Sequence, residues 1–291
     1  MLTAVAPRLG QVLGLSAHGF HRIALAEWGD SGNTEVAVCA HGLTRTGRDF
    51  DCLAEAMANE YLVLCPDVVG RGRSDWLPTA DAYGYPQYNA DMAAVVAYSR
   101  AARVDWIGTS MGGLIGMMLA AQPNTPIRRL VINDVGPFVP ASALRRLSEY
   151  VGQDPHFADF AEGVAYMRKV HAPFGPLSEP QWAHLAEHAL RTDPDGGYRL
   201  AYDPRIAAPF DEPDAIEDID LWALWDAIRC PVLVLRGRDS DLLREDTAQE
   251  MADRGPGASV VEFEGVGHAP ALMSHEQIAA VTGWLRRTEA A

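Results

Sequence analysis

Val104-Asp105-Trp106-Ile107-Gly108-Thr109-Ser110-Met111-Gly112-Gly113-Leu114-Ile115-Gly116 reads as a short strand, a sharp turn carrying one serine, and the start of a helix. Gly108 to Gly112 fits the spacing G-x-S-x-G, the signature of a nucleophile elbow. A serine on so tight a turn needs residues without a Cβ two places to either side, or strand and helix collide. Such a turn lifts the Ser110 hydroxyl above a sheet and leaves the first N–H groups of the helix close to any oxyanion forming there. The same spacing arises by chance in a chain with 26 glycines. The apolar strand before it and the apolar helix after it favour the elbow.

Working outward, strand and helix patterns alternate on both sides of the elbow. His18–Trp28, Glu35–Ala40, Tyr61–Cys65 and Arg129–Asn133 read as strands, with helical spacing over Asp49–Ala58 and Tyr88–Ala102. Compact apolar runs joined by helices predict right-handed βαβ units and a mostly parallel, doubly wound sheet, an α/β fold. The rhythm breaks at Asp134. Residues 137–228 carry helical patterns over Ala141–Val151, Phe157–His171, Glu179–Arg191 and Leu221–Ile228, with no buried strand run. The alternation resumes with a strand at Pro231–Arg236, a helix at Thr247–Arg254, a strand at Ser259–Phe263 and a closing helix at Ile278–Arg287. The expected organisation is a core of residues 1–136 and 229–291 interrupted by a helical cap at 137–228.

A net charge of −15 argues against nucleic-acid backbones and anionic membrane surfaces as partners. Met1–Phe20 lacks the basic region and apolar run of a signal peptide. No apolar stretch reaches membrane-spanning length, so cytoplasm is the expected compartment. Cys39, Cys52, Cys65 and Cys230 lack metal-ligand spacing and lie mostly in apolar runs, which predicts buried reduced thiols. Asp193-Pro194-Asp195-Gly196 lacks the later ligands of a calcium loop, and Asp211–Asp220 reads as a solvated acidic face. No metal and no cofactor is expected, the partner is a small-molecule substrate, and a homo-oligomer stays open.

A serine nucleophile needs a base within hydrogen-bond reach. His268, in Gly265-Val266-Gly267-His268-Ala269-Pro270, follows the last strand and so emerges on the same carboxyl edge as Ser110. His41 fits the turn beside the site and His275 a helix start, while His156, His171, His184 and His188 fall in the cap as packed or solvated side chains. The oxyanion donors expected are the N–H groups of Met111 and Leu43, the latter in the turn after Glu35–Ala40. Two loops at strand ends offer the acid that orients His268: Asp134, or Asp239 and Asp241 after Pro231–Arg236.

Taken together, the elbow, His41-Gly42, Gly70-Arg71-Gly72-Arg73-Ser74-Asp75 and Gly265-Val266-Gly267-His268 resemble the α/β-hydrolase fold superfamily across residues 18 to 288. In most of that family the acid follows the strand corresponding to Pro231–Arg236, in a pattern Gly-x-x-Asp. Here Ser240 stands three residues after Gly237. In a branch similar to the acetamidomethylene-succinate hydrolases and some small bacterial esterases, the acid follows the preceding strand. The resemblance therefore favours Asp134, then Asp241, then Asp239.

The reading is a cofactor-free serine hydrolase acting on a carboxylic ester through an acyl-enzyme. A cap containing Phe138, Leu144, Phe157, Tyr166, Phe174, Trp182 and Trp222 suits a small or medium apolar group. His41, Gly42, Phe138, Trp222 and Trp225 are the expected substrate contacts. Alternatives with the same triad are a C–C bond hydrolase or an enol-lactonase acting on a ring-cleavage product. A non-catalytic ligand receptor is the alternative of another class. A dehalogenase needs a carboxylate nucleophile where this chain has Ser110.

Overall fold

The computed structural model describes residues 6–288. The outer limits expected for the core, residues 1 and 291, and the first five residues of the Met1–Phe20 reading lie outside them. In chain order the first half runs β1 (Arg8–Ser16), β2 (Gly19–Trp28), β3 (Glu35–Ala40), α1 (Asp51–Met57), β4 (Tyr61–Pro66), α2 (Tyr85–Tyr98), β5 (Val104–Thr109), α3 (Met111–Ala120) and β6 (Ile127–Asn133). A long segment follows, with β7 (Phe138–Val139), α4 (Ala141–Ser148), α5 (Phe160–Val170), α6 (Glu179–Ala189), β8 (Leu190–Thr192), β9 (Tyr198–Leu200), β10 (Ile219–Asp220) and α7 (Trp222–Ala227). The chain then continues through β11 (Val232–Gly237), α8 (Glu245–Asp253), β12 (Ser259–Phe263) and α9 (His275–Arg287).

Eight strands form one sheet in the order β1-β2-β4-β3-β5-β6-β11-β12. The pairs from β4 to β12 are parallel, and β1 and β2 form an antiparallel edge. The apolar runs come from burial on both faces, since alternate residues of a strand point to opposite sides. Val36, Val38, Trp106, Ile132 and Val234 enter one core, with Met92 of α2, Leu114 of α3 and Met251 of α8. Ala37, Cys39, Ile107, Val131 and Leu235 enter the other, with Leu53 of α1 and Trp284 of α9. The sheet is thus doubly wound. All four cysteines are buried and free, and no helix among the described residues is long and apolar enough to cross a membrane.

Three differences from the sequence expectations have local causes. β1 is absent from them; Gly10 and Gly14 interrupt its alternation, and Leu9, Leu13 and Leu15 remain exposed at the sheet edge. The segment between β6 and β11 holds two short ladders, β7 with β10 and β8 with β9. Strands of two or three residues are too short to leave a periodic run. β7 and β10 lie side by side where this segment leaves the sheet and where it returns. Finally, α9 begins at His275, three residues before the expected Ile278, because the Ser274 side chain accepts from the Gln277 N–H and caps the first turn.

A buried charged cluster sits inside the central sheet. Asp105 of β5 is fully buried and accepts bidentate pairs from Arg128 (both 3.0 Å) and Arg129 (2.8 and 2.7 Å) on β6. Removing one member of such a set leaves buried charge uncompensated. Asp105→Asn is expected to destabilise the fold by about 3–5 kcal/mol, read as a lower denaturant midpoint in equilibrium unfolding. A midpoint unchanged from wild type would show that Arg128 and Arg129 do not depend on this carboxylate.

Candidate active site

β5 ends against α3 at Ser110, whose φ of 51° and ψ of −115° place a non-glycine residue at positive φ. Such a conformation is strained and persists only where its surroundings enforce it. The Ser110 N–H donates to Asn133 O (2.9 Å), and Ser110 O accepts from the Gly113 and Leu114 N–H groups (2.8 and 3.0 Å). The flanking glycines are sterically required. A Cβ on Gly108 would lie 2.2 Å from Gly112 O, and one on Gly112 would lie 2.0 Å from Ala40 O.

His268 follows β12 and Asp134 follows β6, two neighbours of one another across β11. Ser110 Oγ lies 3.0 Å from His268 Nε2, and His268 Nδ1 lies 2.8 Å from Asp134 Oδ2. With the proton on Nδ1, the imidazole donates to Asp134 and its Nε2 accepts from the serine hydroxyl. Asp134 is fully buried. Its Oδ1 accepts from the Gly237 N–H (2.8 Å) and its Oδ2 also accepts from Ser240 Oγ (2.6 Å). Ser240 thus stands three residues after Gly237, in the loop after β11, and bonds the carboxylate that follows β6. Asp241 is turned outward, about half exposed, and paired with Arg146 at 2.5 and 2.9 Å. Asp239 is exposed.

On the other side of Ser110, the His41–Leu43 loop comes close enough that a Cβ on Gly42 would lie 3.8 Å from Ser110 Cβ. His41 is fully buried. Its Nδ1–H donates to Gly42 O (2.7 Å) and its Nε2 accepts from the Val68 N–H (2.8 Å). Burial pushes its pKa down to about 3, against the hydrogen bond to Gly42. A neutral His41 therefore ties this loop to the one after β4.

Sequence reasoning passed over Arg71. Its side chain is fully buried. It donates from Nε to Leu43 O (2.9 Å) and from Nη1 to Val69 O (2.8 Å) and Tyr88 OH (3.0 Å), and Nη2 lies 3.7 Å from Met111 Sδ. None of these partners is a carboxylate. The guanidinium lies over the Tyr88 ring at 4.9 Å. It contacts both residues expected to supply oxyanion donors. In the sequence it is one of three charged residues in the Gly70–Asp75 loop, and nothing there marks it as buried.

A cavity of about 380 Å³ opens beside Ser110, Met111 and Leu43. The segment between β6 and β11 contributes Leu144, Leu147, Ile206, Phe210 and Ile216, and Tyr85 and Glu217 are among its few polar residues. The Tyr85 hydroxyl makes no hydrogen bond among the described residues, and burial raises its phenol pKa. Of the apolar residues noted between 137 and 228, Leu144 reaches the cavity, and none of the expected substrate contacts does. Phe138 does not; its neighbour Val139 takes that place. Trp225 is fully buried, with Nε1 donating to Arg254 O (2.9 Å), and Trp222 lies against the Arg254 guanidinium at 4.7 Å. Both tryptophans of α7 thus pack toward the end of α8 instead of the cavity. His41 and Gly42 line no part of it either and support the loop from behind.

A family model described as the alpha/beta hydrolase family matches residues 37–281. The 3-hydroxybutyrate-oligomer hydrolase of Cupriavidus necator is 48% identical, over 95% of this chain and 97% of its own. The crystal structure of an alpha/beta hydrolase from Novosphingobium aromaticivorans superposes with a TM-score of 0.85 at 36% identity, covering 98% of this chain and all of its own. E-2-(acetamidomethylene)succinate hydrolase shares the fold with a TM-score of 0.80 at 22% identity, over 96% of this chain and all of its own.

The elbow sterics are directly testable. Gly112→Ala forces a Cβ onto the Ala40 carbonyl and is expected to destabilise the protein by about 1–3 kcal/mol. Thermal unfolding of this variant beside Gly283→Ala, on the closing helix, checks it. Equal midpoints for the two variants would contradict the steric account.

Proposed function

Because the chain belongs to the alpha/beta hydrolase family, we propose that it is a serine hydrolase of carboxylic esters, with Ser110, His268 and Asp134 as its triad. The observation that carries the reading is the unbroken hydrogen-bonded line from Ser110 Oγ through His268 to Asp134. His268 Nε2 takes the serine proton as Oγ attacks the ester carbonyl, and Asp134 stabilises the imidazolium and holds its tautomer. The developing oxyanion is received by the N–H groups of Met111 and Leu43. One such donor is typically worth about 100- to 1000-fold in turnover. His268 then protonates the leaving alkoxide. Water, deprotonated by the same nitrogen, releases the acid from Ser110.

Arg71 acts in this scheme as a positioning residue. Its bond to Leu43 O fixes the peptide plane behind the loop, and its positive charge, which pairs with no carboxylate among the described residues, lies beneath the expected oxyanion site. The segment 137–228 serves as the cap, supplying most of the apolar wall of the cavity.

The lining favours a neutral, aliphatic ester. Among the described residues no Arg or Lys lines the cavity, so a ring-cleavage product bearing carboxylates finds no counter-charge there. The homologue from Cupriavidus necator acts on 3-hydroxybutyrate oligomers. Such oligomers are methyl-bearing esters with one hydroxyl end and one carboxylate end, and the cavity suits the hydroxyl-ended acyl portion. Glu217 repels the carboxylate end, which is left toward solvent, while Tyr85 offers a hydrogen bond to a carbonyl or hydroxyl.

Turnover of a 3-hydroxybutyrate trimer and of a p-nitrophenyl ester tests this reading. Ser110→Ala is expected to abolish both activities. Asp134→Asn is expected to lower kcat on the order of 10³- to 10⁴-fold, whereas Asp241→Asn leaves kcat within a few-fold of wild type. Full activity in Asp134→Asn, or its loss in Asp241→Asn, would move the acid to the loop after β11. Absence of turnover by the wild-type protein on any ester would leave the receptor reading instead.

A further inference from the structure

α6, in the segment between β6 and β11, meets α1 of the core across a small apolar contact in which Trp182 and Leu185 pack with Cys52 and Met273. Beside it stand three side chains with metal-ligating atoms. His184 and His188 are four residues apart on α6 and so share one face of the helix. Their rings lie 4.8 Å apart, centroid to centroid, and nearly perpendicular. Asp51, the first residue of α1, faces them fully buried, with Oδ2 3.3 Å from His184 Nε2. One ligand atom from each of the three lies within 4.8 Å of the other two. No residue of the cluster lines the large cavity beside Ser110.

We propose that Asp51, His184 and His188 bind a divalent transition-metal ion, of which Zn²⁺ is the type, joining α6 to the core.

Two imidazoles and a carboxylate form a donor set well suited to zinc, which such groups hold at about 2.0–2.2 Å. The 3.3 Å between Asp51 Oδ2 and His184 Nε2 is close to the edge of a tetrahedron with bonds of that length, so small side-chain shifts close the site. His188 is the ligand in waiting, since its ring nitrogens make no hydrogen bond among the described residues. It is also the more exposed histidine of the two, which gives an ion its way in and a water the fourth position. Arg48 binds the same Asp51 carboxylate, with Nε 2.9 Å from Oδ1 and 2.8 Å from Oδ2. It opposes the ion by charge but also orients the ligand, as outer partners of metal-bound carboxylates do. Arg48 Nη2 also lies 2.5 Å from Oδ2, and His184 Nε2 lies 3.2 Å from Arg48 O, so the ion takes the place of the hydrogen bonds that His184 makes to Arg48 O and Asp51.

Isothermal titration of EDTA-treated, dialysed protein with ZnCl₂ tests the site without reference to hydrolysis. The expected result is one Zn²⁺ per chain at this site and a raised thermal midpoint. In His188→Gln, which disturbs none of the Asp51 bonds, affinity should fall by about tenfold or more and the rise in midpoint should vanish. His18→Gln should match wild type. Co²⁺ added to the wild-type protein supplies a second reading that needs no variant, because a tetrahedral site gives intense visible absorption and the hexaaqua ion does not. Equal zinc affinity in His188→Gln and wild type, no saturable binding, or only the weak spectrum of aqueous Co²⁺ would each overturn the proposal.

Discussion

The site is organised around one buried carboxylate. Asp134 is removed from water, and a charge in that position persists only if its oxygens are met by donors. Three arrive from two loops: the Gly237 N–H at the end of β11 with the Ser240 hydroxyl just beyond it, and His268 Nδ1 after β12. Because β6, β11 and β12 are adjacent in the sheet, their carboxyl ends meet at this point. The direction of the imidazole, and with it the reach of Nε2 toward Ser110, follows from how firmly Asp134 is held.

Ser110 is held by the opposite means, exclusion of volume. Its strained backbone is enforced by the close passage of β5, α3 and the end of β3, which leaves no space for side chains at 108 or 112. The loop after β3 is braced in turn by a neutral, doubly bonded His41 and by the guanidinium of Arg71. Imidazole and loop are thus fixed from behind by buried polar contacts, and the serine by close packing. The cavity in front of them is almost wholly apolar.

The elbow, the histidine proposed as base and the parallel sheet were legible because each leaves a local mark: a glycine spacing, a histidine just past a strand, compact apolar runs. The proposed acid was less so. Asp134, Asp239 and Asp241 all follow strands, and what separates them is burial and partners, which depend on how three loops meet. Ser240, which looked like the gap in a familiar pattern, is the hydroxyl that bonds the Asp134 carboxylate after the neighbouring strand. In the inserted segment helical periodicity gave the helices and hid the two short ladders. Trp222 and Trp225 were drawn toward the substrate by size, yet α7 turns them to Arg254 and α8. Arg71 had no signal, since a buried arginine in a Gly/Arg/Asp loop looks like its exposed neighbours.

The measurement that bears most directly on the proposed mechanism is mass-spectrometric mapping of the adduct left by a fluorophosphonate probe. The account predicts a single covalent adduct on the peptide carrying Ser110, approaching one per chain, with labelling slowed when His268 is replaced by Gln. An unlabelled protein, or an adduct on another residue while Ser110 stays unmodified, would contradict it.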